Sequence, residues 1–291
     1  MNSVLKDRWA IVTGAGRGIG RAIALAYARE GANLVLAART EYELANTASV
    51  CGQMGVKAIA VPTDVAKWEE VKRLVEEAYA RNNSIDILVN AAGIYGPIGP
   101  TTEIDVNAWH RAIEVNLLGP FNLCRALLPH FAEMRRGKII LLGGGGATAP
   151  LPNFSSYAAS KAGLARFAET IAQELLAYNV QVNVIAPGLV DTSLQDDVLA
   201  AGSRAGDLFQ KIKQARETGT GAVSPEIAAN LAVFLASPAS GGLTGKLISA
   251  PYDPWREWGE KADVLNGSAL FTIRRIDPFT IQPLMKELQQ S

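Results

Sequence analysis

Thr13-Gly14-Ala15-Gly16-Arg17-Gly18-Ile19-Gly20 follows directly on the apolar run Trp9-Ala10-Ile11-Val12 and opens a stretch of helical periodicity. Glycines at such a turn let the backbone bend tightly and approach a pyrophosphate, whose charge meets the free N–H groups of the helix start. A glycine-rich turn alone is only a turn. Between a strand and a helix it points to dinucleotide binding, with Gly14, Gly18, Ile19 and Gly20 around the phosphates.

Outward from that turn, apolar runs and amphipathic helices alternate. Strands are expected over 9–13, 33–38, 58–61, 85–89, 138–142 and 180–185, and helices over 18–30, 41–54 and 68–81. Runs apolar on both faces belong to a parallel sheet covered by helices on both sides, an α/β class. From 191 to about 224 the texture turns small, charged and Gly-rich, which reads as a partly helical lid. The chain divides into a domain over 1–249 and a C-terminal extension over 250–291. Trp255, Trp258, Phe271 and Phe279 make that extension too apolar to be solvated, so it is expected to pack on the domain or on a neighbouring subunit.

The 28 basic and 28 acidic residues balance, so no global field would hold nucleic acid or an anionic membrane. Residues 1–8 lack the apolar centre of a signal peptide, and no run approaches a membrane span. Cys51 and Cys124 have no metal or redox spacing and fit a reducing cytoplasm. His110 and His130 are isolated, and no metal site is expected.

Further motifs fall in a fixed order. Asp64-Val65 follows the third strand and Asn90-Ala91-Ala92-Gly93 the fourth. Asn116 lies in Val115-Asn116-Leu117-Leu118-Gly119, Tyr157 and Lys161 in Ser155-Ser156-Tyr157-Ala158-Ala159-Ser160-Lys161, and Pro187-Gly188 with Val190 and Thr192 after the sixth strand. Together with Gly14-x-x-x-Gly18-x-Gly20, these resemble the short-chain dehydrogenase/reductase family over about residues 6–248. The resemblance implies a Rossmann-type, doubly wound parallel sheet, a nicotinamide cofactor, a small carbonyl or alcohol substrate, and a homo-tetramer or homo-dimer. It implies cofactor contacts at Asp64, Val65, Asn90, Ala91, Gly93, Tyr157, Lys161, Pro187, Gly188, Val190 and Thr192. A catalytic set of Asn116, Tyr157 and Lys161 is also implied, with Asn116 holding a water that links the lysine to solvent.

NAD enzymes of this kind end the second strand with a carboxylate that bonds the ribose hydroxyls. Here that position is Ala38, followed by Arg39, with Arg17 in the glycine-rich turn. Two guanidinium groups there would clamp a 2′-phosphate, so NADP is expected over NAD.

Tyr157 and Lys161, four apart, share one helix face. An ammonium beside the phenol would favour the phenolate, and the phenol would exchange a proton with the substrate oxygen. The family's serine lies thirteen residues before the tyrosine, which here is Gly144, within Gly143-Gly144-Gly145-Gly146. Loss of such a donor typically costs about 10²–10³ in rate. Thr148, Ser155, Ser156 or the N–H groups of the glycine run are candidate replacements, catalysis being otherwise weak or the serine deliberately substituted. Gly144, Gly145, Tyr95 and Asn153 are candidate substrate contacts, under an apolar roof of Leu151, Phe154 and Leu189; Gln195 and Arg204 are further polar candidates. The reading is an NADP-dependent oxidoreductase interconverting a secondary alcohol and a ketone. The alternative is a catalytically weak NADP-binding sensor or scaffold. A nucleotide-sugar dehydratase or epimerase is weaker still, because about forty residues after Ala250 are too few for its substrate domain.

Overall fold

Strand β1 (Trp9–Thr13) turns Ala10 and Val12 to one face of the sheet and Trp9 and Ile11 to the other, and all four are buried. The same two-sided burial explains why the strands read as continuous apolar runs. The computed structural model describes residues 3–82 and 84–290, the side chains of 278, 284 and 288–290 excepted. Among these residues the sheet has seven parallel strands in the order β3-β2-β1-β4-β5-β6-β7. The others are β2 (Asn33–Ala38), β3 (Ala58–Pro62), β4 (Ile87–Asn90), β5 (Gly137–Leu142), β6 (Val180–Ala186) and β7 (Leu247–Ser249).

On one face lie α1 (Gly18–Arg29), α2 (Glu41–Gly52) and α9 (Pro225–Ala236), packed on Val12, Leu34, Leu36 and Val89. On the other lie α3 (Trp68–Arg81), α5 (Gly119–Met134) and α6 (Ser155–Glu174), packed on Ile11, Val35, Leu88 and Ile139. Cys51 and Cys124 are buried in α2 and α5. The strand order reverses between β1 and β4, and the ends of these strands open a crevice where open α/β sheets hold ligands.

Three features depart from the expected element boundaries. β4 begins at Ile87 rather than at 85, and just before it the Asp86 carboxylate accepts the Trp9 N–H at 3.0 Å and an Arg8 N–H at 3.0 Å. The short β7 has no six-residue apolar run to announce it; it follows Lys246, which is buried with its Nζ donating to the carbonyls of Ser268 and Leu270. Between α4 (Val106–Ile113) and α5 the helix widens into a π-type turn over Glu114–Leu118, a geometry frequent at functional sites.

The 191–224 stretch carries α7 (Leu194–Ala201) and α8 (Asp207–Thr218). Beyond β7, Trp255 packs on Phe234 with ring centroids 5.4 Å apart and Trp258 on Phe271 at 4.2 Å, and both tryptophans join the core beneath α9. The Phe271 carbonyl accepts the Leu247 N–H at 2.8 Å and so covers part of the β7 edge. After α10 (Ala262–Asn266) the chain ends in α11 (Pro278–Gln290), on which Phe279 is exposed.

Candidate active site

A cleft of about 370 Å³ runs along the crevice. Its lining includes Gly14, Arg17, Gly18, Ile19, Gly20, Arg39, Asp64, Val65, Ala91, Gly93 and Thr192. The glycines are there for space and conformation. A Cβ on Gly14, whose φ is +64°, would lie 2.8 Å from the Ala91 backbone, and one on Gly20 would lie 2.2 Å from the Gly14 carbonyl oxygen. Only bare backbone leaves the helix N-terminus open to a diphosphate, so the residues present fit a dinucleotide.

Some expected contacts are absent from this lining. Asn90 is buried beneath it, its Oδ1 accepting from Thr13 Oγ1 at 2.7 Å, so its side chain braces β4 against β1. Pro187, Gly188 and Val190 also stand outside the lining; a Cβ on Gly188 would meet Val223 at 2.8 Å, and Val190 bridges to Val223. The Asp64 carboxylate accepts the Ala66 N–H at 3.1 Å and is ion-paired with Arg111. Two acidic residues that the motifs did not single out complete the lining: Glu43, from α2, and Asp197, from the lid helix α7.

The reacting groups border the cleft at Gly93, where a Cβ would lie 3.6 Å from Lys161 Nζ and 3.3 Å from Asn116 Oδ1. Helix α6 presents Tyr157 and Lys161 one turn apart, with Nζ 5.6 Å from the Tyr157 ring centroid. Lys161 donates to the Leu142 carbonyl at 2.6 Å, not to the phenol. Burial pushes the Tyr157 phenol well above its ordinary value, helped by Tyr95, and pushes Lys161 down to about 8. Desolvation is the largest influence on the phenol, and the Lys161 ammonium is turned towards Leu142. Asn116 stands at the same border. Its Oδ1 accepts the Ile94 N–H at 2.9 Å, while its Nδ2 donates to the Ile94 carbonyl at 2.8 Å and to Ser160 Oγ at 3.1 Å. Its amide thus ties the loop after β4 to α6.

Lys138, Lys161 and Lys246 all lie near 8 in the fold because burial disfavours their charge. Between 8 and their ordinary 10.5 the unfolded chain holds protons that the folded chain has released, so stability rises with pH. From about pH 9 the buried thiols Cys51 and Cys124, pushed up to about 11 and about 12, offset part of this rise, because the unfolded thiols lose protons first. The melting temperature is therefore expected to climb from about pH 7.5 to beyond pH 9, and to climb less in Lys161→Met. A steady fall across that interval in a calorimetric pH series would contradict it.

Tyr95 packs against Tyr157 with ring centroids 4.7 Å apart, and Phe154, Val198, Ala205 and Ile212 close the same apolar cluster, with Leu151 and Leu189 at its margin. Tyr95 Oη donates to Gln195 Oε1 at 3.2 Å and so fastens the lid helix α7 over the site. The candidate polar contacts are largely engaged. Gln195 Nε2 donates to the Val190 carbonyl at 3.2 Å, and Arg204 pairs with Glu103 at 2.9 Å. Asn153 holds a left-handed φ of +69°, its carbonyl accepting the Gly99 N–H at 2.9 Å. Among the replacement hydroxyls, Ser155 Oγ accepts from Trp109 Nε1 at 3.2 Å, Ser156 Oγ donates to the Tyr95 carbonyl at 3.3 Å, and Thr148 is exposed. Gly144 faces Tyr157 directly: a Cβ there would lie 2.2 Å from Oη. Gly145 has open space around it.

Among the described residues no helix is long and apolar enough to cross a membrane, and no group of three or more His, Cys, Asp or Glu gathers as for a metal. The family described as short chain dehydrogenase matches residues 8–202. A short chain dehydrogenase of Pseudocercospora fijiensis is 33% identical over 264 residues, covering 88% of this chain and 85% of that protein. The 3beta-hydroxysteroid dehydrogenase 1 of Eggerthella lenta is 35% identical over 247 residues, covering 84% and 92% respectively. A variant of actinorhodin polyketide ketoreductase, solved with NADPH, superimposes with a TM-score of 0.77 at 28% identity, covering 84% of this chain and 95% of that one.

Proposed function

The chain belongs to the short-chain dehydrogenase family, whose NAD(P)-dependent members interconvert hydroxyl and carbonyl groups, and on that premise we propose that it is an NADP-dependent reductase of a ketone to a secondary alcohol. The observation that carries this reading is Tyr157, buried one helical turn from Lys161 where the reacting set meets the cleft at Gly93. A bound nicotinamide would supply or accept the hydride. Tyr157 Oη gives its proton to the carbonyl oxygen in reduction and takes it back in oxidation. A phenol pushed up by burial stays protonated at neutral pH, which favours the reductive direction. Lys161 holds the nicotinamide ribose and balances the alkoxide as it forms. Asn116 positions: its side chain anchors the loop after β4.

Gly144 stands, in this reading, where the family keeps a serine, and the Tyr157 hydroxyl lies 2.2 Å from the point where a Cβ would stand. The apolar cluster of Tyr95, Phe154, Val198 and Ile212 supports a bulky apolar ketone over a sugar. Residues 1–249 form the catalytic unit with its lid over 191–224, and 250–291 an extension packed on it. Two buried free thiols support a reducing cytoplasm, and Leu118 and Phe121, exposed beside α6, support assembly into a homo-dimer or homo-tetramer. Gly144 equally favours the second reading, a weakly catalytic NADP sensor.

Preference for NADP rests on Ala38, which offers the ribose no carboxylate, and on Arg39, exposed at the cleft with no ion pair among the described residues. Calorimetric titration is expected to give tighter binding of NADPH than NADH, with Arg39→Ala losing about tenfold for NADPH alone, the size of one charge-assisted hydrogen bond. Tighter binding of NADH by the unaltered protein would overturn the assignment.

A further inference from the structure

We propose that Glu43 supplies through space the ribose-facing carboxylate that the end of β2 lacks, and thereby limits the preference for the 2′-phosphorylated dinucleotide. The inference rests on the cofactor reading above and adds a second, opposing determinant to it.

Glu43 lies five residues beyond Ala38, in the first turn of α2, and the fold brings it back to the same place. From the point where a Gly16 Cβ would stand, Glu43 Cβ is 3.1 Å away, Glu43 Oε2 3.2 Å and Ala38 Cβ 3.8 Å. The missing side chain at Gly16 thus makes room for the carboxylate, and an added Cβ there would press on it. Thr47 Oγ1 bridges the Glu43 carbonyl at 3.1 Å and the Gly16 carbonyl at 3.4 Å, which holds the α2 turn against the glycine-rich turn. The Glu43 side chain is 20% exposed, against 64% for Arg17, to which it pairs at 3.7 Å.

An ionised carboxylate only accepts hydrogen bonds, so it suits the 2′- and 3′-hydroxyls of an unphosphorylated ribose. A 2′-phosphate brings further negative charge and accepts only, so it is repelled at the same place. Glu43 acts a second time by drawing on Arg17, one of the two cations available to that phosphate. Cofactor choice is then a contest between Arg39 with part of Arg17 on one side and Glu43 on the other.

The test is calorimetric or fluorescence titration of the full chain with NADPH and NADH, in Glu43→Gln and in Glu41→Gln. Glu41 bears the same charge in the same helical turn but is outside the cleft lining. In Glu43→Gln the ratio of the NADH to the NADPH dissociation constant is expected to rise about tenfold, through tighter NADPH and weaker NADH, and by less at high salt. Glu41→Gln is expected to leave it within about twofold, as surface charges outside a site do. An unchanged ratio in Glu43→Gln, or an equal rise in Glu41→Gln, overturns the inference while leaving NADP binding intact. Failure of every variant and the unaltered protein to bind either dinucleotide would instead remove the cofactor reading on which it rests.

Discussion

Tyr157→Phe is expected to lower ketone reduction by about 10³-fold or more, within the reach of general acid catalysis, while the affinity for NADPH and the melting temperature stay close to those of the unaltered protein. The substitution removes one oxygen and keeps the ring. The packing of that ring against Tyr95 at 4.7 Å, within the cluster that contains Phe154, therefore survives. Among the described residues no hydrogen bond joins this hydroxyl to its polar neighbours, Ser156, Ser160 and Lys161 each donating elsewhere, so its removal leaves no group newly unpaired. A residue serving only the fold would show the opposite pattern, with a lower melting temperature and turnover preserved per folded molecule. Single-turnover rates under saturating NADPH separate the chemical step from binding, and rates within a few-fold of the unaltered protein would sink the acid role.

The glycine-rich turn and the apolar strands made the doubly wound sheet legible because both signals are local. A strand buried on two faces must be apolar along its length, and a turn where an added Cβ would lie 2.8 Å from the Ala91 backbone must be glycine. What local sequence does not carry is where a side chain is turned. Asn90 and Asn116 both stand at motif positions, yet one is spent on Thr13 and the other on Ile94 and Ser160. The Tyr-Lys spacing placed both groups on one face of α6, whereas their protonation depends on desolvation and on the Leu142 carbonyl, which arrives from β5. Glu43 was hidden for the same reason, since its distance from Ala38 in sequence says nothing of their meeting at Gly16. The short β7 had too few residues for a period to show, and its partner is set by β6 rather than by its own pattern.

Gly144→Ala is expected to lower kcat/KM by about 10²-fold or more and to destabilise the fold by about 1–3 kcal/mol, the cost of overpacking a closed site. The new methyl would stand 2.2 Å from Tyr157 Oη and 3.0 Å from its Cζ, so the phenol must leave its position. Rotation is obstructed, because the ring is buried between Tyr95 and the lid cluster of Val198 and Ile212. Gly144→Ser imposes the same displacement but returns a hydroxyl at the reacting oxygen, and its turnover is expected to exceed that of Gly144→Ala. The comparison of the three proteins discriminates between the readings of the glycine. If the alanine protein keeps the activity of the unaltered one, Tyr157 moves freely and does not depend on the space at residue 144. If the serine protein is the only one that turns over, the glycine run has disarmed the site, and the sensor reading replaces the enzyme. Activity highest with glycine, intermediate with serine and lowest with alanine is the order expected where the phenol itself fills the place of the missing side chain.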